Sequence, residues 1–202
     1  ELFDSRQKIC GRLVACYDAN ARPCKEENAS YFLCEVSNDG YIDVLNEDAV
    51  QTFIEITYEK YRVRYGNRIE GFFTDEPQFG MLRMPYTPSV EPLMRENGAD
   101  IRDFGIQLFM ETGDYKRIRR LYFDAIGALF LRNYVGQISR WCERYGYRLT
   151  GHILEEKSLD RQILSCGDIL SVYSLMQNPG MDWLGRDIGE NALAPRPVAS
   201  IC

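Results

Sequence analysis

The sequence predicts an α/β fold of parallel strands, a (β/α)8 TIM-type barrel of which these 202 residues form an incomplete segment, read as one continuous domain over residues 1–202. Three observations predict it. Short apolar runs alternate with longer patterns of helical spacing, the signature of βαβ units. Polar and acidic residues recur just after the apolar runs end, where a parallel barrel gathers its chemistry on one face. The strands fall short of the eight that closure requires, and the chain has no initiator Met and stops abruptly at Ile201 and Cys202, so a segment of a longer protein is expected.

The elements follow in order. Leu13 to Tyr17 and Tyr31 to Val36 are compact apolar runs bounded by turn-forming residues, which reads as two buried strands with a polar connection from Asp18 to Ser30. Asn46 is placed to cap a helix from Glu47 to Gly66, in which Val50, Phe53, Ile54, Thr57, Tyr58 and Tyr61 repeat at helical spacing. Ile69 to Thr74 is the next strand, ended by Pro77, and a Pro- and Met-rich loop runs from Gln78 to about Gly98. Asp114 opens a long helix whose apolar face includes Ile118, Tyr122, Ala125, Leu129, Tyr134, Ile138 and Trp141, stopped by Gly146. Arg148 to Ile153 is a strand, Leu159 to Met176 is mostly helical, and Met181 to Leu184 is a short fifth strand.

Composition narrows the function. With 24 Lys and Arg against 30 Asp and Glu, the net charge of -6 gives no footprint for a nucleic-acid backbone or an anionic membrane. No run approaches the ~20 apolar residues of a membrane span, and the N-terminus lacks the order of a signal peptide. Seven cysteines without a C-x-x-C pair, several inside apolar runs as at Cys16, Cys34 and Cys142, read as buried thiols of a reducing, cytoplasmic compartment. One histidine gives little support to a transition-metal centre, and no metal ligands are assigned.

Three strand ends carry candidate chemistry. At Thr74, Asp75, Glu76 and Pro77, two carboxylates leave an apolar strand. A carboxyl group partly desolvated at such a rim has a raised pKa and suits general-acid work. The plain alternative is that Asp75 caps a loop and Glu76 points to water. Gly151 precedes His152, which can bind a sugar hydroxyl or hold a carboxylate, or serve only the core; Glu155 and Glu156 follow, either facing ligand or forming a solvated first turn. Asp182 can accept from ligand hydroxyls, and Trp183 can offer a stacking face or simply fill core.

The runs Gly40 to Val50, Gly71 to Pro77, Leu149 to Glu156 and Pro179 to Gly185 together resemble the barrel domain of bacterial glycoside hydrolases of the α-L-rhamnosidase type, distantly related to the β-galactosidase-like clan. The resemblance implies that Glu76, in a motif similar to the clan's Asn-Glu-Pro, is the acid catalyst. Asp75 stands where that motif has Asn. It further implies sugar-binding roles for His152 and Asp182, with Asp75, Glu155 and Trp183 beside them, an oligosaccharide or polysaccharide substrate, and a second catalytic carboxylate beyond Cys202, without which this segment is inactive. Some members use calcium, for which Asp75 and Glu155 are the oxygen donors the resemblance offers, though no dedicated calcium loop is present. Two rival readings remain from the residues: a carbohydrate-binding barrel without catalysis, and a metal-dependent hydrolase using Asp75, Glu76, His152 and Asp182.

Overall fold

The computed structural model describes residues 1–37, 40–80, 84–156, 158–182 and 195–201. In chain order the elements are β1 (Leu2–Asp4), β2 (Arg12–Tyr17), β3 (Tyr31–Glu35), α1 (Glu47–Ile56), α2 (Tyr58–Tyr65), β4 (Gly71–Asp75), α3 (Val90–Glu96), α4 (Ile101–Phe104) and α5 (Tyr115–Leu129), then α6 (Gly136–Arg144), β5 (Arg148–His152), α7 (Leu159–Ser165), α8 (Ile169–Ser174), β6 (Asn178–Pro179) and α9 (Pro195–Ile201). A π-helical turn, Phe130–Val135, joins α5 to α6. The chain divides into two compact units, Glu1–Tyr41 with Arg83–Ala125, and Ile42–Leu82 with Ile126–Cys202.

The expected barrel is not formed. Among the described residues there are two separate three-stranded sheets, one antiparallel in the order β1-β3-β2 and one parallel in the order β4-β5-β6. The reason lies in the connections. A parallel pair needs a crossover, usually helical, whereas antiparallel strands need only a return. Residues 18–30 carry no α-helix; Ala21 adopts φ 61° and Tyr17 bridges back to Pro23, so the chain doubles over and β3 returns against β2. Tyr17 pairs with Tyr31 and Cys16 with Phe32 across that return. The helices between β4 and β5, and between β5 and β6, do make crossovers, and those strands run parallel.

In the first unit, Cys16, Phe32 and Cys34 form an apolar cluster with Phe3, Cys24 and Ala29. Tyr17 is fully buried and its hydroxyl donates to the Ile101 carbonyl at 3.1 Å, which ties the sheet to α4.

The second unit holds the parallel sheet. Asn46 caps α1 as expected, its side-chain oxygen accepting from Asp48 and Ala49 N–H at 3.0 and 3.2 Å, a device contributing about 1 kcal/mol. The helix expected over 47–66 is broken at Thr57, whose backbone (φ -118°, ψ -79°) leaves regular helical geometry. On one face of β4, Phe72 meets Tyr58, Trp141 and Tyr147 at ring separations of 4.7, 5.3 and 5.3 Å. Such aromatic pairs add about 0.5–1.5 kcal/mol each beyond their burial. Thr74, also on the covered face, lies 3.3 Å from the Tyr134 hydroxyl. The opposite face carries Phe73, 60% exposed, and Asp75. Parallel sheets usually cover both faces; among the described residues, Phe73 and Asp75 are exposed on the face that also carries His152.

The fifth strand lies earlier than expected. β6 is Asn178–Pro179, Met181 and Asp182 are outside any strand, and Trp183 and Leu184 fall outside the described residues. Gly180 takes the next position beside β5, its N–H donating to the Gly151 carbonyl at 2.7 Å. The loop expected from Gln78 to Gly98 contains α3. Among the described residues no helix is long and apolar enough to cross a membrane.

Candidate functional site

The chemistry gathers where β4 and β5 end and the chain leaves β6. Asp75 and His152 are register partners on adjacent parallel strands, so their side chains emerge on the same face. His152 Nε2 lies 3.0 Å from Asp75 Oδ1, with the histidine side chain 12% exposed and the aspartate 77% exposed. The Phe73 ring meets the imidazole edge-on, its centroid 5.8 Å away. Imidazole Nδ1 is buried and has no hydrogen-bond partner among the described residues.

Gly151 makes this arrangement possible. Its φ of 141° is a conformation that L side chains rarely adopt, and a Cβ there would stand 2.0 Å from the Thr74 carbonyl oxygen. Only a glycine lets β5 approach β4 so closely one residue before the histidine.

Glu76 leaves β4 with φ 46°, and Pro77 fixes the exit. A non-glycine residue in the left-handed region costs about 1–3 kcal/mol, which the surrounding structure must offset. The consequence is a carboxylate turned back toward the neighbouring strand ends. Donor atoms of Glu76, His152 and Asp182 all lie within 4.8 Å of one another. Residues separated by more than a hundred positions in sequence therefore share one small volume.

Asp182 is held through its backbone by a residue that the sequence leaves open between facing ligand and forming a solvated turn. Glu156 is buried, 5% exposed, and one of its carboxylate oxygens accepts from Asp182 N–H at 3.3 Å. Its other oxygen accepts from Ile153 N–H at 3.3 Å and from the Tyr173 hydroxyl. Burial raises the Glu156 pKa above the ordinary carboxylate value, while the bonds from Tyr173, Asp182 and Ile153 and the neighbouring His152 work against that rise. No feature of the Glu155 and Glu156 pair distinguishes the buried member. The φ of 63° at Glu155 turns the chain between them, and Glu155 instead accepts from Arg161 at 2.9 Å.

The expected site residues thus divide. Glu76, His152 and Asp182 come together, and Asp75 holds Nε2 of the imidazole. Glu155 is engaged by Arg161, and Trp183 lies outside the described residues. Asp75 and Glu155, the oxygen donors expected for calcium, are engaged by different partners, a histidine and an arginine. A recess of about 480 Å³ lined by Arg62, Asn67, Glu70, Tyr147 and Arg148 lies where β4 and β5 begin, at the end of the strands opposite His152. Arg62 there is occupied by Glu59 and by the Tyr145 ring, 4.4 Å away, so the recess presents no comparable cluster.

No model of a protein family matches this chain, and no curated protein matches it. A solved structure similar to it is that of rhamnosidase from Novosphingobium sp. PP1Y, with a TM-score of 0.50 and 15% sequence identity, covering 72% of this chain and 15% of that one. The chain therefore spans about one seventh of that rhamnosidase's length. At this identity the likeness is one of fold, and the relation to a glycoside hydrolase is distant.

Proposed function

We propose that the strand-end site acts on carbohydrate as part of a glycoside hydrolase, with Glu76 donating a proton to the departing glycosidic oxygen. The observation that carries this reading is the convergence of Glu76, His152 and Asp182, donor atoms within 4.8 Å, at the ends of parallel strands. The fold likeness to a rhamnosidase supports it. His152, oriented by Asp75, and Asp182, fixed through its backbone by Glu156, suit the hydroxyl groups of a sugar ring. Phe73 adds an exposed apolar surface beside them.

The two carboxyl groups of a glycosidase are separated by roughly 6.5–9.5 Å where the reaction inverts, to admit a water, and by roughly 5–5.5 Å where it retains, to admit the sugar carbon between them. The oxygens of Glu76 and Asp182 approach within 4.8 Å, so Asp182 is assigned to substrate hydroxyls, and the base or nucleophile opposite Glu76 is another carboxylate.

The test compares the complete parent protein, wild type against Glu76→Gln, on two α-L-rhamnosides, one with an alkyl and one with a 4-nitrophenyl leaving group. Proton donation contributes roughly 100- to 10,000-fold, and matters most where the leaving oxygen is basic. The expected result is a loss of that size on the alkyl substrate and a much smaller loss on the 4-nitrophenyl one. Undiminished turnover of the alkyl substrate by the variant, or no turnover of either by wild type, overturns the reading.

A further inference from the structure

We propose that Glu76, His152 and Asp182 bind a divalent cation of the zinc class, and that the bound ion blocks glycoside cleavage by occupying Glu76. Zinc bonds to nitrogen and oxygen ligands are about 2.0–2.2 Å long, which sets neighbouring donors roughly 3.3 Å apart around a tetrahedral ion. The three donors already stand within 4.8 Å of one another. Closing the remainder, at most about 1.5 Å, falls to the carboxylates of Glu76 and Asp182.

The imidazole is prepared for this role. Metal-bound histidines commonly donate their second ring N–H to a carboxylate, which fixes the tautomer. Here Nε2 faces Asp75 Oδ1 at 3.0 Å, so the neutral imidazole carries its proton on Nε2 and keeps a lone pair on Nδ1. That Nδ1 atom is buried and has no hydrogen-bond partner among the described residues. A buried acceptor without a donor is unusual in a folded protein, and a cation answers it. The backbone under the third ligand is also fixed, since Glu156 accepts from Asp182 N–H.

The donor set selects the class of ion. One neutral imidazole and two carboxylates carry a charge of about -2 that a dication neutralises, and nitrogen ligation suits zinc, copper or nickel. Calcium requires six to eight oxygens, and the imidazole takes the place of one. An ion held by Glu76 and a proton donated by Glu76 exclude each other, so the ion is an inhibitor of the reaction proposed above. The binding site itself stands on geometry and does not rest on that reaction.

His152 is the sole histidine of the sequence, so every imidazole signal in a nitrogen-15 spectrum belongs to this site. The experiment adds zinc chloride, and in parallel calcium chloride, to the labelled full chain and follows both ring nitrogens. Zinc is expected to move Nδ1 away from its free lone-pair position while Nε2 stays protonated. Glu76→Gln and Asp182→Asn are expected to weaken the zinc response at least 10-fold, and Asp75→Ala, which removes the acceptor from Nε2, 10- to 100-fold. Because cysteines also bind zinc, the His152 signal rather than total uptake is the readout. An Nδ1 unmoved at saturating zinc overturns the proposal, as does an equal response to calcium. The wild-type titration decides this even where a variant fails to fold. Glycoside turnover lost in Glu76→Gln without a zinc shift removes the ion site alone; a zinc shift in a protein without turnover removes only the reaction.

Discussion

Replacing Gly151 with alanine tests the geometry on which the site depends. The added Cβ would lie 2.0 Å from the Thr74 carbonyl oxygen, a backbone atom that cannot rotate away. Two costs combine. Holding an L residue at φ 141° costs about 1–3 kcal/mol. Relieving the collision means separating β4 from β5, which weakens ladder hydrogen bonds contributing about 0.5–1.5 kcal/mol each. The shift cannot be confined to one side, because the Gly151 carbonyl also accepts from Gly180 N–H at 2.7 Å. The lower entropy of the unfolded alanine chain returns about 0.4–1 kcal/mol. The net loss is about 2–4 kcal/mol, a large share of a typical stability of about 5–15 kcal/mol. Urea unfolding followed by circular dichroism reads it as a midpoint lowered by roughly 1 M, taking a slope of about 1–3 kcal/mol per M. Gly146→Ala is the control: φ there is 74°, but a Cβ meets nothing within 4 Å. It carries the conformational cost without the collision, and is expected to lose about 1 kcal/mol. Equal midpoints for the two variants, or a Gly151→Ala protein as stable as wild type, would refute the close approach of β4 and β5.

Two further predictions concern titration and reactivity. Because the folded state raises the Glu156 pKa through burial, it keeps the proton at pH values where the unfolded chain, near 4.3, has lost it. Wild type is therefore expected to lose stability relative to Glu156→Gln as pH rises from the unfolded value through the folded one, and to run parallel above it; urea midpoints of both proteins from pH 4 to 8 check this, and curves parallel throughout contradict it. Burial pushes the thiols of Cys142 and Cys166 up to about 12, while Cys10 is exposed. A disulfide reagent at pH 8 is expected to modify Cys10 at least about 100-fold faster than either, since the thiolate is the reactive form. Peptide mass spectrometry tests this, and Cys142 labelled as fast as Cys10 would count against its burial.

The elements were more legible than their assembly. Asn46, Pro77 and Gly146 mark boundaries because capping and termination are local chemistry, and the structure uses Asn46 and Gly146 in that way. Sheet partners are another matter. Apolar runs at Leu13 and Tyr31 announce strands but not their direction, which is decided by whether the intervening chain folds back or crosses over. The 18–30 segment folds back, and the expectation of uniformly parallel strands fails there.

That failure does not separate Glu76, His152 and Asp182, for a physical reason. Bringing a residue after β4, a residue at the end of β5 and a residue after β6 to one place needs only three adjacent strands running the same way. Neighbouring strands lie about 4.7–4.9 Å apart, so consecutive strand ends bring side chains of ordinary reach together without any barrel closing. What adjacency cannot predict is which carboxylate turns inward. Glu155 and Glu156 are neighbours of one chemistry, and the φ of 63° at Glu155 sends the first to Arg161 while the second is buried against Tyr173 and the Asp182 N–H. A backbone angle, not a sequence pattern, separates the solvated ion pair from the buried group under the site.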